Sequence, residues 1–144
     1  MERLDFDIPR LVLASHVGVH LVVHLAWETH LEGPRLDRDD GSLAAALRAA
    51  AREVACQVLS VGHTEREVHL MVRYPPTVCV SELVTRLKEV SAAGFRLGRR
   101  PRRALVWSSG YVARSCDPSR VDARIGWIAS LRPEPPDTMG DLVS

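Results

Sequence analysis

Residues 16–28, HVGVHLVVHLAWE, alternate between apolar and polar side chains almost without interruption. The apolar set takes every second position from Val17 to Trp27. The positions between them include His16, His20, His24 and Glu28. A period of two residues places the two sets on opposite faces of a β-strand. The stretch therefore predicts a strand that buries one face in a core and presents histidines on the other.

Similar patterns predict three further strands and three helices toward the C-terminus. Strands are predicted at 57–62, at 66–74 and at 104–115, the last with an interruption at 108–110. The first helix follows Ser42, a residue type that caps helix N-termini, and has an apolar stripe at 43, 47, 50, 51 and 54. A second helix is predicted at 81–90, and a third from the Asp117–Pro118 pair through Leu131.

The order strand, helix, strand, strand, helix, strand is typical of an α+β fold of the ferredoxin-like, split βαβ type. This fold has an antiparallel sheet, here with two helices on one face and an extra C-terminal helix. Its first and third strands are neighbours at the centre, so the histidine face is left for the last helix, a partner or a ligand. We divide the chain into an N-terminal extension (1–15), a folded domain (16–132) and a flexible, proline-rich tail (133–144).

Composition narrows the class of protein. The 144 residues are 46% hydrophobic and 26% charged, which is the balance of one soluble globular domain. No apolar run approaches the roughly 18 residues of a membrane span, and the first residues do not resemble a signal peptide. Cys56, Cys79 and Cys116 form no CxxC pair, which argues against a zinc ribbon or a disulfide framework and predicts a cytoplasmic protein without membrane association.

Charge is distributed unevenly along the chain. The net charge is only +1, yet residues 86–114 carry eight basic side chains against Glu89 alone, a net of +7. Arginine binds phosphate oxygens in a bidentate manner, and four arginines within five residues can follow a phosphate backbone. The alternative is a solvated loop. We interpret the segment as a nucleic-acid-binding surface made of Arg86, Lys88, Arg96, Arg99, Arg100, Arg102 and Arg103.

Four stretches carry short motifs in a fixed order: His24-Leu25-Ala26-Trp27-Glu28-Thr29 with Pro34 and Leu36, Glu67-Val68-His69-Leu70-Met71-Val72, Val80-Ser81-Glu82-Leu83-Val84 with Leu87-Lys88 and Ser91, and Trp107 with Gly110-Tyr111. In this order and spacing they resemble the HUH single-tyrosine transposases. That family includes insertion-sequence transposases and the REP-associated tyrosine transposases. The resemblance covers roughly residues 20–132.

The resemblance implies metal-assisted DNA strand transfer. In that family a tyrosine on the last helix attacks a DNA phosphate and forms a 5′-phosphotyrosine, while a divalent ion held by two histidines polarises the phosphate oxygens. A glutamine four residues after the tyrosine shares its helical face and supplies the third metal ligand. The resemblance also implies single-stranded or hairpin DNA as the partner, with DNA transposition and recombination as the process. It further implies a homodimer whose tyrosine helices complete the active sites across the interface.

This chain departs from the family at each chemical position. Glu67 stands at the first histidine of the pair, Trp127 at the tyrosine and Leu131 at the glutamine. Tryptophan has no hydroxyl to form the phosphodiester link, and leucine cannot ligate a metal. We therefore expect no catalytic residue, and interpret the chain as a domesticated, catalytically inactive form that still binds DNA.

The histidine face raises the question of a metal. Glu67 and His69 lie two residues apart on one strand and so share a face, and His24 or His20 adds a nitrogen from the adjacent strand. Such a set suits zinc or manganese better than magnesium. The alternative is a hydrogen-bonded pair without a metal. We expect no cofactor, with at most a weakly held divalent ion (Mg, Mn or Zn) at Glu67, His69 and His24.

Two aromatic residues have alternative interpretations. Trp127 is either a packed helix residue or a platform on which an unpaired base stacks. Tyr111 is either a packing or DNA-stacking residue or a substitute nucleophile.

Besides the inactive DNA-binding protein, the sequence allows a structural or regulatory homodimer without DNA affinity. It also allows a residual metal-dependent nuclease that uses Glu67 as a ligand and water as the nucleophile.

Overall fold

A computed structural model describes residues 20–36, 41–98 and 105–133 of the chain, with residues 94–98 as backbone only. Several predicted features lie outside these ranges: the extension 1–15, the strand start with His16, the tail after residue 133, and four arginines of the basic loop, Arg99, Arg100, Arg102 and Arg103.

Four antiparallel strands form one sheet in the order β2-β3-β1-β4. The strands are β1 (Leu21–Glu28), β2 (Gln57–His63), β3 (Glu67–Tyr74) and β4 (Val112–Ser115). The central β1–β3 pair is in register along its whole length, with Leu25 opposite Leu70 and Ala26 opposite His69. The predicted α+β architecture and the adjacency of the first and third strands are confirmed.

Two helices cover one face of the sheet, and a third lies on the other. Helices α1 (Ser42–Glu53) and α2 (Val80–Gly98) pack on the apolar face, where Leu25, Leu70, Leu47 and Leu87 are fully buried. Burial of such side chains supplies most of the stabilisation, at about 1.5–3 kcal/mol each. After a short 3₁₀ turn, Pro118–Arg120, helix α3 (Val121–Ala129) contacts β2 and β3 on the opposite face. None of these helices, within the ranges described, is long and apolar enough to cross a membrane.

Helix α3 lies unusually close to the sheet at Gly62 of β2. A side chain at Gly62 would overlap the carbonyl oxygen of Ile128, so only glycine permits this approach. A bulge between Val58 and Ser60 turns Ser60 toward the helix, and its hydroxyl donates to the carbonyl oxygen of Ile125 over 2.9 Å. These contacts fix the helix over one half of the histidine face and leave the other half open.

Two helix starts show one wrong prediction and one confirmed prediction. Ser42 does not cap α1, because it is the first helical residue and Gly41 occupies the N-cap position with a φ of 89°. Asp117 does cap the turn before α3: its carboxylate accepts the amide of Ser119 over 2.9 Å, which lowers the pKa of Asp117.

Two helix ends were also predicted wrongly. Helix α2 continues to Gly98 instead of ending at residue 90, since the small residues that follow permit helical backbone. Arg96 therefore belongs to the helix and not to a loop. Helix α3 ends at Ala129, three residues before the Arg132–Pro133 step, so Leu131 lies beyond the helix.

The fourth strand is shorter than predicted, and its interruption is confirmed. Within residues 105–115, which the structure describes, Val112–Ser115 pairs with β1, and an isolated bridge joins Thr29 to Trp107. Between them, Gly110 adopts a φ of 92° and turns the chain away from the sheet.

Candidate functional site

An open cavity of about 510 Å³ lies between the uncovered half of the histidine face and helix α3. Its floor comes from alternate residues of three strands, because these side chains share one face of the sheet. Its wall comes from the 3₁₀ turn and α3. The cavity is lined by His24, Ala26, Trp27, Glu28, Glu67, His69, Val112, Arg114, Arg120, Ala123, Arg124 and Trp127.

Four of these side chains form a continuous chain of hydrogen bonds. Arg124 Nη1 lies 3.0 Å from Nδ1 of His24, and His24 Nε2 lies 3.0 Å from Nδ1 of His69. His69 Nε2 in turn lies 3.0 Å from Oε1 of Glu67. A guanidinium only donates, so His24 accepts at Nδ1 and carries its proton on Nε2. The same reasoning puts the proton of His69 on Nε2, which donates to the carboxylate, so both imidazoles are neutral.

The environment of His24 maintains this protonation state. Its side chain is only 8% exposed. Burial, and then the proximity of His69, Arg124 and Arg114, lowers the pKa of His24 to about 4. At neutral pH the ring is therefore an uncharged acceptor for the guanidinium.

The three predicted metal ligands meet, but not as a ligand cluster. His24 contacts one ring nitrogen of His69, and Glu67 contacts the other nitrogen, so the three donors point along a line and not at one ion. The positively charged guanidinium of Arg124 also lies beside Nδ1, the second ring nitrogen of His24. Among the described residues, no group of three or more His, Cys, Asp or Glu side chains is arranged to hold a metal. His20, the other nitrogen considered, does not line the cavity.

Trp127 lies at the mouth of this cavity. Its ring packs edge-on against His69 at 5.3 Å and against His24 at 6.1 Å, and its side chain remains 49% exposed. Trp127 thus combines packing against the two histidines with a free aromatic surface. Leu131 lies outside the cavity, near Gly62 of β2.

Two basic residues assigned to nucleic acid from the sequence have partners within the protein. Lys88 Nζ donates to the carbonyl oxygens of Ser108 and Gly110 over 2.9 and 2.8 Å, and burial lowers its pKa. Arg86 pairs with Glu53 at 2.5 Å on the surface of α2. Neither residue lines the cavity. Lys88 holds the turn before β4, which is a structural role.

Other motif residues are structural in the same way. Ser91 is fully buried and accepts a hydrogen bond from Trp107 Nε1 over 3.1 Å, which joins α2 to the segment before β4. Trp107 also meets Trp27 edge-on at 5.8 Å in the core. These contacts explain the spacing of the motifs that begin at Val80 and at Trp107.

Sequence reasoning missed the arginines of the cavity. Arg114, Arg120 and Arg124 line it, yet none was assigned a site role. A signal was available, because positions 120, 124 and 127 follow the i, i+4, i+7 spacing of one helical face. Tyr111, for which a role as a substitute nucleophile was the alternative to packing or DNA stacking, is 41% exposed and does not line the cavity.

Comparisons with known proteins agree with the fold described above. Residues 18–129 match the sequence model of the family described as "Transposase IS200 like". The fold is similar to the crystal structure of a candidate transposase from Deinococcus radiodurans R1, with a TM-score of 0.60 and 22% sequence identity over 76% of this chain and 88% of that one. No curated protein matches the chain. Because the family match covers more than half of its length, this chain belongs to the IS200-like transposase family.

Proposed function

We propose that this protein binds single-stranded or hairpin DNA as a catalytically inactive member of its family. One observation carries the proposal: the half-exposed ring of Trp127 stands over the cavity, next to both histidines, where the family resemblance places the nucleophilic tyrosine. An indole can stack on an unpaired base but cannot form a phosphodiester bond. The site therefore keeps surfaces for a base and for phosphates while lacking a nucleophile.

Electrostatics supports DNA as the partner. The cavity places three guanidinium groups beside Trp127, and the net charge of +7 over residues 86–114 adds further arginines in the same half of the chain. Phosphate contacts from fixed cations supply most non-specific affinity for nucleic acid. Base stacking adds about 1–3 kcal/mol per base without a requirement for sequence.

The proposal is tested with a 5′-labelled hairpin oligonucleotide that carries a single-stranded flank, incubated with the protein and manganese. Native electrophoresis should show a shifted complex. Denaturing electrophoresis of the same sample should show free, intact DNA, because no side chain at position 127 can retain it. Trp127→Ala should weaken the native complex by roughly tenfold or more, as expected for the loss of one stacking platform.

Three other results would each favour a different function. A covalent band that disappears in Tyr111→Phe would identify Tyr111 as a nucleophile. Manganese-dependent cleavage without a covalent band would favour a residual nuclease. The absence of any native complex would favour a structural or regulatory homodimer without DNA affinity.

The proposal includes no tightly held metal ion, because the line of donors from Arg124 to Glu67 offers no common coordination point. Elemental analysis of untagged protein should find less than one equivalent of any divalent ion. A stoichiometric ion that is lost in His24→Ala would contradict this expectation and identify His24 as a ligand.

A further inference from the structure

Three arginines line the cavity beside the histidines. Arg124 places a fixed positive charge 3.0 Å from His24, beside the histidines. Accepting the proposed DNA binding, we propose that the cavity binds a backbone phosphate of an unpaired strand through Arg114, Arg120 and Arg124, without a metal ion. His24 acts as the positioning residue for Arg124.

The three guanidinium groups come from separate elements and line one cavity. Arg114 belongs to β4, where it lies opposite His24 of β1, while Arg120 ends the 3₁₀ turn and Arg124 lies one helical turn further on. In the part of the chain that the structure describes, the guanidinium groups of Arg114 and Arg120 have no hydrogen-bond or ion-pair partner. Guanidinium stays charged at any physiological pH and matches phosphate oxygens in geometry. Both side chains are exposed to solvent, and an anion is the ligand whose charge matches these groups.

The acidic side chains of the cavity lie at its other end. Glu28 and Glu67 are opposite each other in the β1–β3 register, four residues from His24. At roughly 3.3 Å per residue, their backbone positions are about 13 Å along the strands from His24 and from Arg114 opposite it. Glu67 is also engaged by His69. The cavity is therefore polarised, and a phosphate is favoured at the arginine end.

His24 fixes the direction of Arg124. One N–H of the guanidinium donates to Nδ1 of His24, and the remaining donors stay available. His24 is held in turn by His69, and His69 by Glu67. Glu67 and His69, which the resemblance places at the metal-binding positions of the family, thus help to orient an arginine in this chain through His24. Pre-orientation reduces the conformational entropy that a long side chain loses when it binds a ligand.

Two measurements on the full chain test the inference by fluorescence anisotropy with a labelled hairpin oligonucleotide. The first compares binding in EDTA with binding in manganese. We expect the same Kd in both, because arginine supplies the positive charge. Loss of binding in EDTA with recovery in manganese would overturn the inference while leaving DNA binding itself intact.

The second measurement compares variants whose thermal unfolding is measured in parallel. Arg124→Gln should weaken binding by roughly tenfold or more and reduce the slope of log K against log salt by about 0.7, the value for one lost phosphate contact. Arg132→Gln is the matched control, because Arg132 donates to the carbonyl oxygens of Ala129 and Leu131 and does not line the cavity. Equal effects of the two substitutions would overturn the inference.

The positioning role of His24 has its own signature. His24→Leu should weaken binding without changing the salt slope, because all three charges remain. His24→Gln, whose amide oxygen can accept from Arg124, should recover most of the affinity. If His24→Gln binds no better than His24→Leu, His24 does not position Arg124. If the wild-type protein binds no hairpin DNA at low salt, the proposed function itself is wrong.

Discussion

His24 shows how one side chain takes its properties from its neighbours. It accepts from a guanidinium and donates to a second imidazole, and it is almost completely buried. Acceptance from the guanidinium and burial both favour the neutral ring, so the folded state resists protonation of His24. This residue links the fold to the site, because burial and the neighbouring positive charges lower its pKa while its hydrogen bond to Arg124 orients that arginine at the cavity.

The lowered pKa of His24 predicts a pH dependence of stability. Well above its ordinary pKa of 6.5, His24 is neutral in both states and contributes no pH dependence. Between pH 6.5 and its folded pKa of about 4, only the unfolded chain takes up the proton, so the free energy of unfolding decreases as the pH falls. We expect a loss on the order of 1–2 kcal/mol, since the ring borders an open cavity and solvent screens part of the effect.

Urea denaturation of the wild-type protein and His24→Gln at several pH values measures this contribution. The other titrating groups are common to both proteins, so the difference between the two curves isolates His24. The difference should be constant above pH 6.5 and change progressively below it. A difference that does not vary between pH 7 and pH 4.5 would contradict the assigned protonation state.

At the scale of elements, the contact between α3 and β2 positions Trp127 and Arg124. This contact depends on Gly62, where a side chain would overlap the carbonyl oxygen of Ile128. Gly126 on α3 provides a matched control, because a side chain there would meet no atom within 4 Å. The two glycines differ in their surroundings and not in residue type.

Gly62→Ala should therefore force α3 away from the sheet. We expect destabilisation of about 1–3 kcal/mol, together with weaker DNA binding, because the cavity wall moves. Gly126→Ala should be neutral or stabilise the protein by up to about 1 kcal/mol through its better helix propensity. Thermal unfolding of both variants checks this, and a Gly62→Ala protein as stable as Gly126→Ala would contradict the packing described.

Strong periodicity explains which elements the sequence predicts well. The alternation in β1 and β3 identifies both strands and the face each one buries, since a shift of one residue would expose every apolar side chain. Helix ends carry weaker signals. Serine is a residue type that caps helices, but Ser42 is the first helical residue of α1. The residues directly after position 90 do not terminate a helix, so α2 continues beyond it. The sequence groups Lys88 with a basic surface, because the turn carbonyl oxygens to which it donates are distant in sequence.

The site is predictable only in part, for a related reason. Glu67, His69 and His24 could be placed together because strand pairing brings them to one face. The linear arrangement of their hydrogen bonds depends on Arg124, whose position follows from the tight approach of α3 at Gly62. That close approach of α3 to β2 is a tertiary contact, and the periodicity of the sequence does not predict it.

For the whole molecule, the edge of the sheet at β4 supports a homodimer. All four residues of β4 are exposed, including Val112 at 50%, and within the described ranges β4 pairs only with β1. An unpaired strand edge with exposed apolar side chains is a template for pairing with another chain. We expect light scattering to give about twice the 16.0 kDa of one chain. A mass of one chain across micromolar concentrations would contradict the dimer.

We propose that this member of the family binds DNA through fixed positive charges, and the salt dependence of hairpin binding measures their contribution. Anisotropy titrations at several salt concentrations should show saturable binding, with log K falling linearly by about 0.7 per phosphate contact. Alanine at Arg99, Arg100, Arg102 and Arg103 together should flatten that slope by roughly three. No saturable binding at low salt, or an unchanged slope in the quadruple variant, would contradict the account.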